Sequence, residues 1–328
     1  MECRPLGRTG MNVSALGFGC GDVGGLIVKG APADRVRAVQ RAVALGVNYF
    51  DTATSYGNGV SETHLGEVLK ATKVDVYVGT KVRLVPEELS DIRGAVTRSL
   101  EASLGRLGLP AVDLLQLHNP IAAAASGNAL SVAQVLEEVV PTFDALRKQG
   151  KLKFFGITAL GEPAAIHRVI DAGGIYSAQV FYNLLNPTAG GQAGVPSTGI
   201  DFQGLMPKAK GKGIGTIGVR VLAGGALSGT PGRHPLAQPS VAPIGSGPSY
   251  EADARYATAL RKLVEDGFVA SLVEAAYRFT ISHDAISTAL VGASTLEHLE
   301  EAAAAVLKGP LPPTALARLA TLWKEMRA

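Results

Sequence analysis

Short apolar runs with β-strand character alternate with longer stretches of helical periodicity along the whole chain, and this alternation limits the possible folds more than any other feature. Such alternation predicts a parallel sheet whose strands are joined by helices, rather than a sandwich of two antiparallel sheets. Eight runs have strand character, at residues 16–18, 47–50, 76–79, 114–117, 154–157, 179–182, 215–219 and 289–291. Helical periodicity covers residues 33–44, 61–70, 86–107, 130–149, 163–171 and 256–278. The sequence therefore predicts an α/β fold of the (β/α)8 TIM-barrel type.

Two segments stand outside this alternation. Residues 3–17 alternate apolar and polar side chains around a turn-forming Arg-Thr-Gly sequence, which predicts a short β-hairpin that caps the barrel floor. Residues 229–250 are rich in Pro, Gly and Ser and lack any period, so we expect a mobile loop that becomes ordered when a ligand binds. A chain of 328 residues can bury one large core, and residues 1–328 are predicted to form a single domain.

Composition argues against several classes of function. The 31 basic and 28 acidic residues give a net charge of +3 and are scattered, so no nucleic-acid partner is expected. Cys3 and Cys20 cannot form a disulfide framework, and the first residues lack the apolar core of a signal peptide, which favours a cytoplasmic location. No apolar stretch reaches the length of about 20 residues that a membrane span needs. The histidines lack paired metal-ligand spacing, so no metal is expected.

Four polar residues of complementary chemistry lie at or just after strand-like runs. Asp51, Tyr56, Lys81 and His118 occur in the sequences DTATSYG, GTK and LLQLHNP. The loops at the carboxyl ends of TIM-barrel strands carry the chemistry, so these side chains are predicted to meet in one site. A phenol has a pKa near ~10 and is a poor acid at neutral pH until a nearby cation favours its phenolate. Singly, each residue is more typical of a structural role, but together they predict a proton-transfer site.

Eight short motifs follow one another along nearly the whole chain: GFG, VNYFDTATSYG, GTK, DLLQLHNP, GIT, QVFYNLL, LAGGALSG and VGASTLEHLEEA. In order and spacing they resemble the pattern of the aldo-keto reductases. The resemblance implies an NAD(P)-dependent oxidoreductase that interconverts a carbonyl and an alcohol by hydride transfer. It also implies a nicotinamide dinucleotide that lies extended across the top of the barrel without a glycine-rich Rossmann fingerprint, and no such fingerprint follows a strand here.

The resemblance assigns a role to each of the four polar residues. Tyr56 is implied to be the general acid toward a carbonyl oxygen, and Lys81 the cation that lowers its pKa. Asp51 is implied to hold Lys81, and His118 to orient the substrate as a hydrogen-bond donor. Negative charge builds on the carbonyl oxygen as hydride arrives, so donors aimed at that oxygen stabilise the transition state. When an alcohol is oxidised, Tyr56 accepts the proton instead.

The cofactor contacts implied by the resemblance include several departures from the family pattern. Thr158 and Ala159 stand where the family typically has Ser-Asn to grip the nicotinamide carboxamide, whereas Gln179 matches the remaining carboxamide ligand. Val219 occupies a position where many members have an aromatic residue. Arg220 is equally suited to the cofactor pyrophosphate and to a local carboxylate. The other implied cofactor residues are Gly19, Asp51, Leu222, Gly225, Leu227, Gly292, Ser294, His298 and Glu301.

The choice between the two nicotinamide cofactors depends on the last of these motifs. Many members place Lys and Arg beside the 2'-phosphate and Asn beside the adenine, whereas this chain has Gly292, His298 and Ala302 there. Ser294 and Thr295 offer hydroxyls, and the following helix offers backbone N–H donors. The family favours NADP(H). NAD(H) is the competing cofactor, because the missing cations remove the strongest reason to prefer the extra phosphate.

Small residues dominate the loops GCGDVGGLIVKG and NPIAAAASGNALS, which predicts a roomy pocket for a small-molecule substrate. Asp22 and Asn119, with Tyr56 and His118, are candidates to bind it, and polyhydroxylated and bulky alicyclic substrates both fit. The sequence resembles microbial and plant members that include sugar dehydrogenases, so an NAD-dependent aldose dehydrogenase is an alternative. The sequence is also compatible with a cofactor-binding regulatory subunit that keeps the barrel, and with an unrelated barrel enzyme that acts on phosphorylated ligands. The oligomeric state stays open.

Overall fold

A computed structural model describes residues 1–192, 199–230 and 232–326 of the chain. Residue 231 of the predicted loop and the last two residues of the predicted domain lie outside the described residues. The strands are β1 (Cys3–Pro5), β2 (Asn12–Ser14), β3 (Leu16–Gly19), β4 (Tyr49–Asp51), β5 (Tyr77–Val82), β6 (Val112–Leu117), β7 (Ile121–Ala122), β8 (Leu130–Ser131), β9 (Leu152–Thr158), β10 (Ser177–Phe181), β11 (Gly215–Val219) and β12 (Ile286–Gly292).

Eight parallel strands close into a barrel in the order β10-β11-β12-β3-β4-β5-β6-β9, which confirms the predicted TIM barrel. Every residue of β6 is buried, because one face of a barrel strand lines the interior and the other meets the surrounding helices. The register aligns Gly19 with Asp51 and Asp51 with Gly79. Asp51 therefore lies at the carboxyl end of the barrel, beside its two neighbouring strands.

Helices surround the barrel. They are α1 (Leu26–Lys29), α2 (Pro32–Ala44), α3 (Val60–Thr72), α4 (Ile92–Leu107), α5 (Val132–Gln134), α6 (Val140–Lys148), α7 (Pro163–Ala172), α8 (Leu205–Gly211), α9 (Tyr250–Leu260), α10 (Lys262–Glu265), α11 (Leu272–Ser282), α12 (Leu296–Leu307) and α13 (Pro313–Glu325). In the described part of the chain, no helix is both long enough and apolar enough to cross a membrane.

Capping residues explain why two helices have bounds that differ from those predicted. The helix predicted over 86–107 begins only at Ile92, because the Asp91 side chain accepts a hydrogen bond from the Gly94 backbone N–H at 3.0 Å. The helix predicted over 256–278 divides into α9, α10 and α11. Gly267 has φ +77° there, which ends a right-handed helix, and Ser271 caps α11 by accepting from the Glu274 N–H at 3.0 Å.

A proline reshapes the helix predicted over 130–149. Its first two residues form β8, and a π-helical turn, Val135–Val139, separates α5 from α6. Pro141 has no N–H to donate to the Glu137 carbonyl one turn earlier. Arg93 Nη2 donates to that carbonyl instead, at 3.2 Å. The wide turn and the arginine together accommodate the missing backbone bond.

The predicted hairpin closes the floor of the barrel. Strands β1 and β2 pair antiparallel, with Arg4 opposite Val13. Leu6, Met11 and Val13 are buried in one apolar cluster with barrel residues that include Tyr49 and Leu114. This apolar plug fills the amino-terminal end of the barrel interior and leaves the other end free for polar side chains.

The loop predicted over 229–250 passes across the carboxyl end of the barrel. Its described residues before Tyr250 form no helix or strand. The Gln238 N–H donates to the Asp22 carbonyl at 3.1 Å, and a side chain on Gly25, which has φ +83°, would overlap the Leu236 carbonyl. The loop therefore packs directly against the segment that follows β3. Its mobility stays a prediction.

Replacing Leu6 with alanine is expected to lower the free energy of unfolding by about 2 to 5 kcal/mol, because a fully buried side chain leaves a cavity in the floor plug. Urea denaturation measures this loss. Leu307→Ala, at a leucine that is 56% exposed, is the control and should change stability little. Equal stabilities for the two variants would contradict the role assigned to the plug.

Candidate active site

A cavity of about 890 Å³ opens at the carboxyl end of the barrel, on the side opposite the plug. The ends of several barrel strands and the loops that follow them line it. The lining includes Gly19, Asp22, Asp51, Tyr56, His118, Thr158, Gln179, Val219, Arg220, Leu222, Gly225, Gly292, Ser294 and His298. Most residues predicted from strand ends thus reach one continuous space.

Lys81 is the centre of the polar network at the base of this cavity. Its side chain is fully buried on β5, and Nζ donates to Asp51 Oδ2 at 2.5 Å and to the Thr52 carbonyl at 2.8 Å. Its third bond goes to the Tyr56 hydroxyl at 3.2 Å. Burial acts to lower the pKa of Lys81, but Asp51 and Tyr56 together hold that pKa above its usual value. Lys81 is therefore a fixed cation that directs one donor at the phenol oxygen.

Asp51 accepts hydrogen bonds from two further side chains. Gln179 Nε2 donates to Oδ1 at 2.6 Å, and the Tyr49 hydroxyl donates to the same oxygen at 3.1 Å. A buried carboxylate needs such partners, since an unpaired charge in the barrel interior would be very costly. Gln179 and Tyr49 thus orient the Asp51 carboxylate, and the carboxylate in turn holds the Lys81 ammonium in place.

Tyr56 lies in the turn between β4 and α3, with its hydroxyl on Lys81. The Lys81 ammonium lies 4.7 Å from the centre of the Tyr56 ring. A Cβ on Gly21 would come within 3.3 Å of that ring, so glycine leaves room for it in this position. Burial raises the pKa of Tyr56 above its usual value, and Lys81 offsets only part of that rise. The net direction is thus upward, whereas the resemblance implied a lowered pKa.

His118 faces Tyr56 from the end of β6. The two rings are edge-on, with centroids 6.1 Å apart, and the Ser55 hydroxyl lies 3.5 Å from His118 Nδ1. Burial lowers the pKa of His118 to about 3, and the nearby Lys81 and Arg83 charges act in the same direction. The imidazole is therefore neutral at physiological pH and can donate through one N–H only.

A second part of the cavity joins β9, β10 and β11. Thr158 Oγ1 lies 3.5 Å from Gln179 Oε1, so the two predicted amide-binding side chains are neighbours. Val219 presents an aliphatic surface beside them. This combination of an apolar wall and adjacent amide and hydroxyl groups suits a planar ring that carries a carboxamide. The residues present thus fit a nicotinamide.

The chain after β11 is held in unusual backbone conformations. Arg220 and Ala223 have φ +58° and +47°, and Gly224 and Gly225 follow with φ +70° and +112°. The Asn183 side chain donates to the Arg220 carbonyl at 2.9 Å and helps to hold this turn. Backbone conformations of this kind concentrate at binding sites, where the surrounding structure maintains them.

Two guanidinium groups face the cavity near this turn. Arg233, from the 229–250 loop, donates to the Gly224 carbonyl at 2.6 Å. A Cβ on Gly224 would lie 3.1 Å from Arg220 Nη1, so both guanidinium groups lie beside Gly224. Burial lowers the pKa of Arg220, and the charge of Arg233 acts in the same direction. Within residues 1–192, 199–230 and 232–326, neither arginine pairs with a carboxylate. Together they make this part of the cavity suitable for an anionic group.

The far end of the cavity is lined by Ser294 and His298. Ser294 Oγ donates to the Gly24 carbonyl at 2.6 Å, and its N–H lies 3.4 Å from His298 Nδ1. His234, from the 229–250 loop, lies with its ring 6.4 Å from that of His298. This end offers neutral donors and two imidazoles, and no lysine is among the described residues that line the cavity.

Four predicted site residues lie outside the cavity lining. Lys81 is one of them, but it lies directly beneath the cavity and bonds to Tyr56; the other three lie away from the site. Asn119 is fully buried and bonds to both backbone groups of Leu84 at 2.8 Å, because a buried amide must satisfy its donors and acceptor. Leu227 is a core residue, since its side chain turns into the apolar interior. Glu301 is exposed on α12 and accepts from Ser271 Oγ at 3.3 Å. The structure therefore does not bring these three residues to the site.

Several cavity residues were not predicted from the sequence. Arg83 follows Lys81 by two positions, and Ser55 precedes Tyr56, so closeness to the motifs could have indicated them. Arg233 and His234 belong to a loop that was predicted to bind ligand, but nothing in the loop sequence marked these two residues. Among the described residues, no group of three or more His, Cys, Asp or Glu side chains could hold a metal ion.

We expect His118 to stay neutral from about pH 8 to about pH 5, because its pKa of about 3 lies below the value of 6.5 that an exposed histidine has. As the pH falls through this range, His118 of the unfolded chain takes up a proton but His118 of the native protein does not. The free energy of unfolding therefore decreases as the pH falls. NMR titration of the imidazole measures this, with the urea-unfolded protein as the control. A native midpoint near ~6.5 would contradict it.

Comparison with known proteins places the chain in a family. Residues 15–324 match the model of the Aldo/keto reductase family. The chain is 33% identical over 312 residues to L-galactose dehydrogenase of Arabidopsis thaliana, and the match covers 93% of this chain and 88% of that protein. It is also 29% identical over 188 residues to D-threo-aldose 1-dehydrogenase of Pseudomonas sp, where the match covers 50% of this chain and 55% of that protein.

The fold agrees with a solved member of the same family. The holo form of aldo-keto reductase AKR11C1 from Bacillus halodurans superposes with a TM-score of 0.73 at 22% sequence identity, and the match covers 100% of both chains. At that identity the likeness concerns the fold. The match to the family model across the barrel rules out an unrelated barrel enzyme. The chain belongs to the aldo/keto reductase family of NAD(P)H-dependent oxidoreductases.

Proposed function

We propose that the protein interconverts a carbonyl and an alcohol, with Tyr56 as the general acid or base. The observation that carries this proposal is the bond of 3.2 Å between Lys81 Nζ and the Tyr56 hydroxyl, inside a cavity that His118 also lines. A protonated phenol, a fixed cation and a neutral imidazole then surround one small volume. These are the groups that a developing alkoxide needs around it.

In the reducing direction Tyr56 gives its proton to the carbonyl oxygen. Because burial raises its pKa, the phenol is protonated at neutral pH and is ready to donate. The phenolate that remains is stabilised by the Lys81 ammonium, which Asp51 holds in place. Ser55 lies 3.5 Å from His118 Nδ1, and an imidazole that accepts there is free to donate from Nε2 to the substrate oxygen. In the oxidising direction the proton returns to Tyr56.

The residues that line the cavity support the binding of a nicotinamide dinucleotide. Thr158, Gln179 and Val219 would hold the nicotinamide, and Arg220 and Arg233 would face the phosphates. A bound nicotinamide supplies or accepts the hydride. Because Gln179 also donates to Asp51 at 2.6 Å, the carboxamide grip and the Lys81 network share a residue.

The preference between NADP(H) and NAD(H) depends on the end of the cavity that Ser294 and His298 line. We place NADP(H) first because the imidazoles of His234 and His298 add possible hydrogen-bonding groups at this end of the cavity. NAD(H) comes second, and it stays a candidate because no lysine is found among the described residues of the lining. Imidazole groups can hold a 2'-phosphate, but they discriminate less strongly in its favour than the fixed charge of a lysine or arginine does.

A sugar dehydrogenase is the second candidate within this class. Two relatives, L-galactose dehydrogenase and D-threo-aldose 1-dehydrogenase, bear names that specify sugar substrates. Asp22, Ser55 and Arg83 give the substrate side of this cavity several groups that bind hydroxyls. Of these, Asp22 already accepts from the Gly57 N–H at 3.2 Å, which fixes its carboxylate beside Tyr56. We also propose that the chain acts as a single barrel domain.

Replacing Tyr56 with phenylalanine is expected to lower kcat by about 10²- to 10⁴-fold, because the hydroxyl that exchanges the proton is lost. Cofactor binding should be retained, since the ring still packs on Gly21. Steady-state rates with a panel of aldoses and aldehydes measure the effect. Tyr77→Phe is the matched control, because Tyr77 begins β5 at the end of the strand away from Lys81. Rates like those of the wild type in Tyr56→Phe would remove Tyr56 from the proposed role.

Arg220→Met is expected to weaken the binding of both NADPH and NADH by about 10-fold or more, because each loses a charge-assisted bond to its phosphates. Titration followed by nicotinamide fluorescence gives the two dissociation constants, and the wild type should bind NADPH more tightly. Arg168→Met, at an exposed position on α7, is the control. Tighter binding of NADH would reverse the proposed cofactor order, and unchanged affinities in Arg220→Met would remove the arginine from the site.

A further inference from the structure

An ion pair with a fully buried carboxylate and a partly exposed guanidinium lies behind the turn that carries Tyr56. Glu62 on α3 is 0% exposed, and Arg106 near the end of α4 donates from Nε to Glu62 Oε2 at 2.7 Å. Neither residue lines the cavity. A carboxylate with no access to water is costly unless its partners are in place, so a purely structural pair at this depth would contribute little net stability.

The carboxylate connects this pair to the strand of Lys81. The Thr80 hydroxyl donates to Glu62 Oε1 at 2.5 Å, and Thr80 immediately precedes Lys81 on β5. Both oxygens of Glu62 are therefore engaged, one by the arginine and the other by the residue next to the catalytic lysine. A displacement of Glu62 would therefore displace Thr80 and the adjoining backbone that positions Lys81.

The guanidinium connects the same pair to the turn of Tyr56. Arg106 Nη2 lies 3.3 Å from the Thr54 hydroxyl, two residues before Tyr56, and 3.1 Å from the Ser103 hydroxyl. The Thr54 hydroxyl in turn lies 3.4 Å from the Lys81 carbonyl. At the other end of the turn, a side chain on Gly59 would come within 2.8 Å of Arg106 Cδ. The arginine thus contacts the turn on both sides of Tyr56.

We propose that Glu62 and Arg106 are positioning residues that set the separation between the Tyr56 hydroxyl and Lys81 Nζ. The pair joins α3 and α4 to the two segments that carry these groups, and it lies outside the space where the substrate would bind. This inference rests on the proposed function, since it acts through the proton-transfer role of Tyr56. The separation matters because proton transfer depends steeply on alignment, so displacing Tyr56 by about 1 Å can reduce turnover about 100-fold.

Glu62→Gln removes the charge that holds Arg106 while keeping the shape of the side chain. We expect kcat to fall by about 10- to 100-fold, with KM and the dissociation constant for NADPH changed less than about threefold. The pH profile of kcat should also change. With Lys81 less well placed, the phenol loses part of the stabilisation of its phenolate, so the alkaline limb of the reduction rate should move to higher pH.

Thr54 provides a milder test, for the case in which Glu62→Gln does not fold. Thr54→Val removes the hydroxyl that links Arg106 to the turn, and kcat should fall by about 3- to 10-fold, as expected for one hydrogen bond. Thr54→Ser keeps the hydroxyl and should restore wild-type turnover. A residue that only filled space would show the opposite order, because valine retains the volume that serine lacks.

Asp113→Asn is the control, because it also removes a buried carboxylate that bonds to β5. Asp113 on β6 accepts from the Val78 N–H of β5 at 2.7 Å, at the floor end of the barrel. Its replacement should lower thermal stability and leave kcat unchanged. The proposal is overturned if folded Glu62→Gln and Thr54→Val turn over at the wild-type rate, or if Asp113→Asn loses as much turnover as they do. Failure of the proposed function is a separate result, namely undiminished turnover in Tyr56→Phe.

Discussion

The ion pair between Lys81 and Asp51, buried at the top of the barrel, is the interaction on which the site depends. Two charges at this depth are stable only when the donors and acceptors around them are satisfied. The barrel achieves this with the Thr52 carbonyl and with donors from Gln179 and Tyr49. The remaining donor of Lys81 then goes to the Tyr56 hydroxyl. The requirement to satisfy a buried charge thus aims the cation at the phenol.

The two ends of the barrel divide the tasks of folding and chemistry. The floor is closed by an apolar cluster that the amino-terminal hairpin completes. Because the strands are parallel, all of their carboxyl ends meet at the same rim. Side chains distant in sequence, such as Asp51 and Gln179, therefore come within hydrogen-bond distance.

The rim is completed by segments in less common conformations. The turn from Arg220 to Gly225 has several residues with positive φ, and the 229–250 loop packs over it through Arg233. The ion pair of Glu62 and Arg106 joins α3 to α4 behind the rim, and we propose that it supports the rim from outside. Binding surfaces built from loops need such support, because loops lack the hydrogen-bond ladder that holds a strand in register.

The sequence by itself determined the number of barrel strands, their order and the residues that follow them, because both periodicity and strand-end position are local properties. It identified Asp51, Tyr56, Lys81 and His118 as residues that would meet, and the structure brings them together. Helix ends were less well predicted, since a capping side chain at Asp91 or Ser271 overrides the apolar period.

Only the tertiary structure decided how the site residues are surrounded. Asn119 follows His118 in sequence, yet its amide is turned away and bonded to the Leu84 backbone. The direction of the pKa shift of Tyr56 depends on burial as well as on Lys81, and burial is a property of the assembled barrel. Arg233 reaches the site, and Glu62 and Arg106 meet behind the turn of Tyr56, across long sequence separations. Desolvation and long-range pairing leave no local pattern, and that is why the sequence could indicate the chemistry of the site but not its environment.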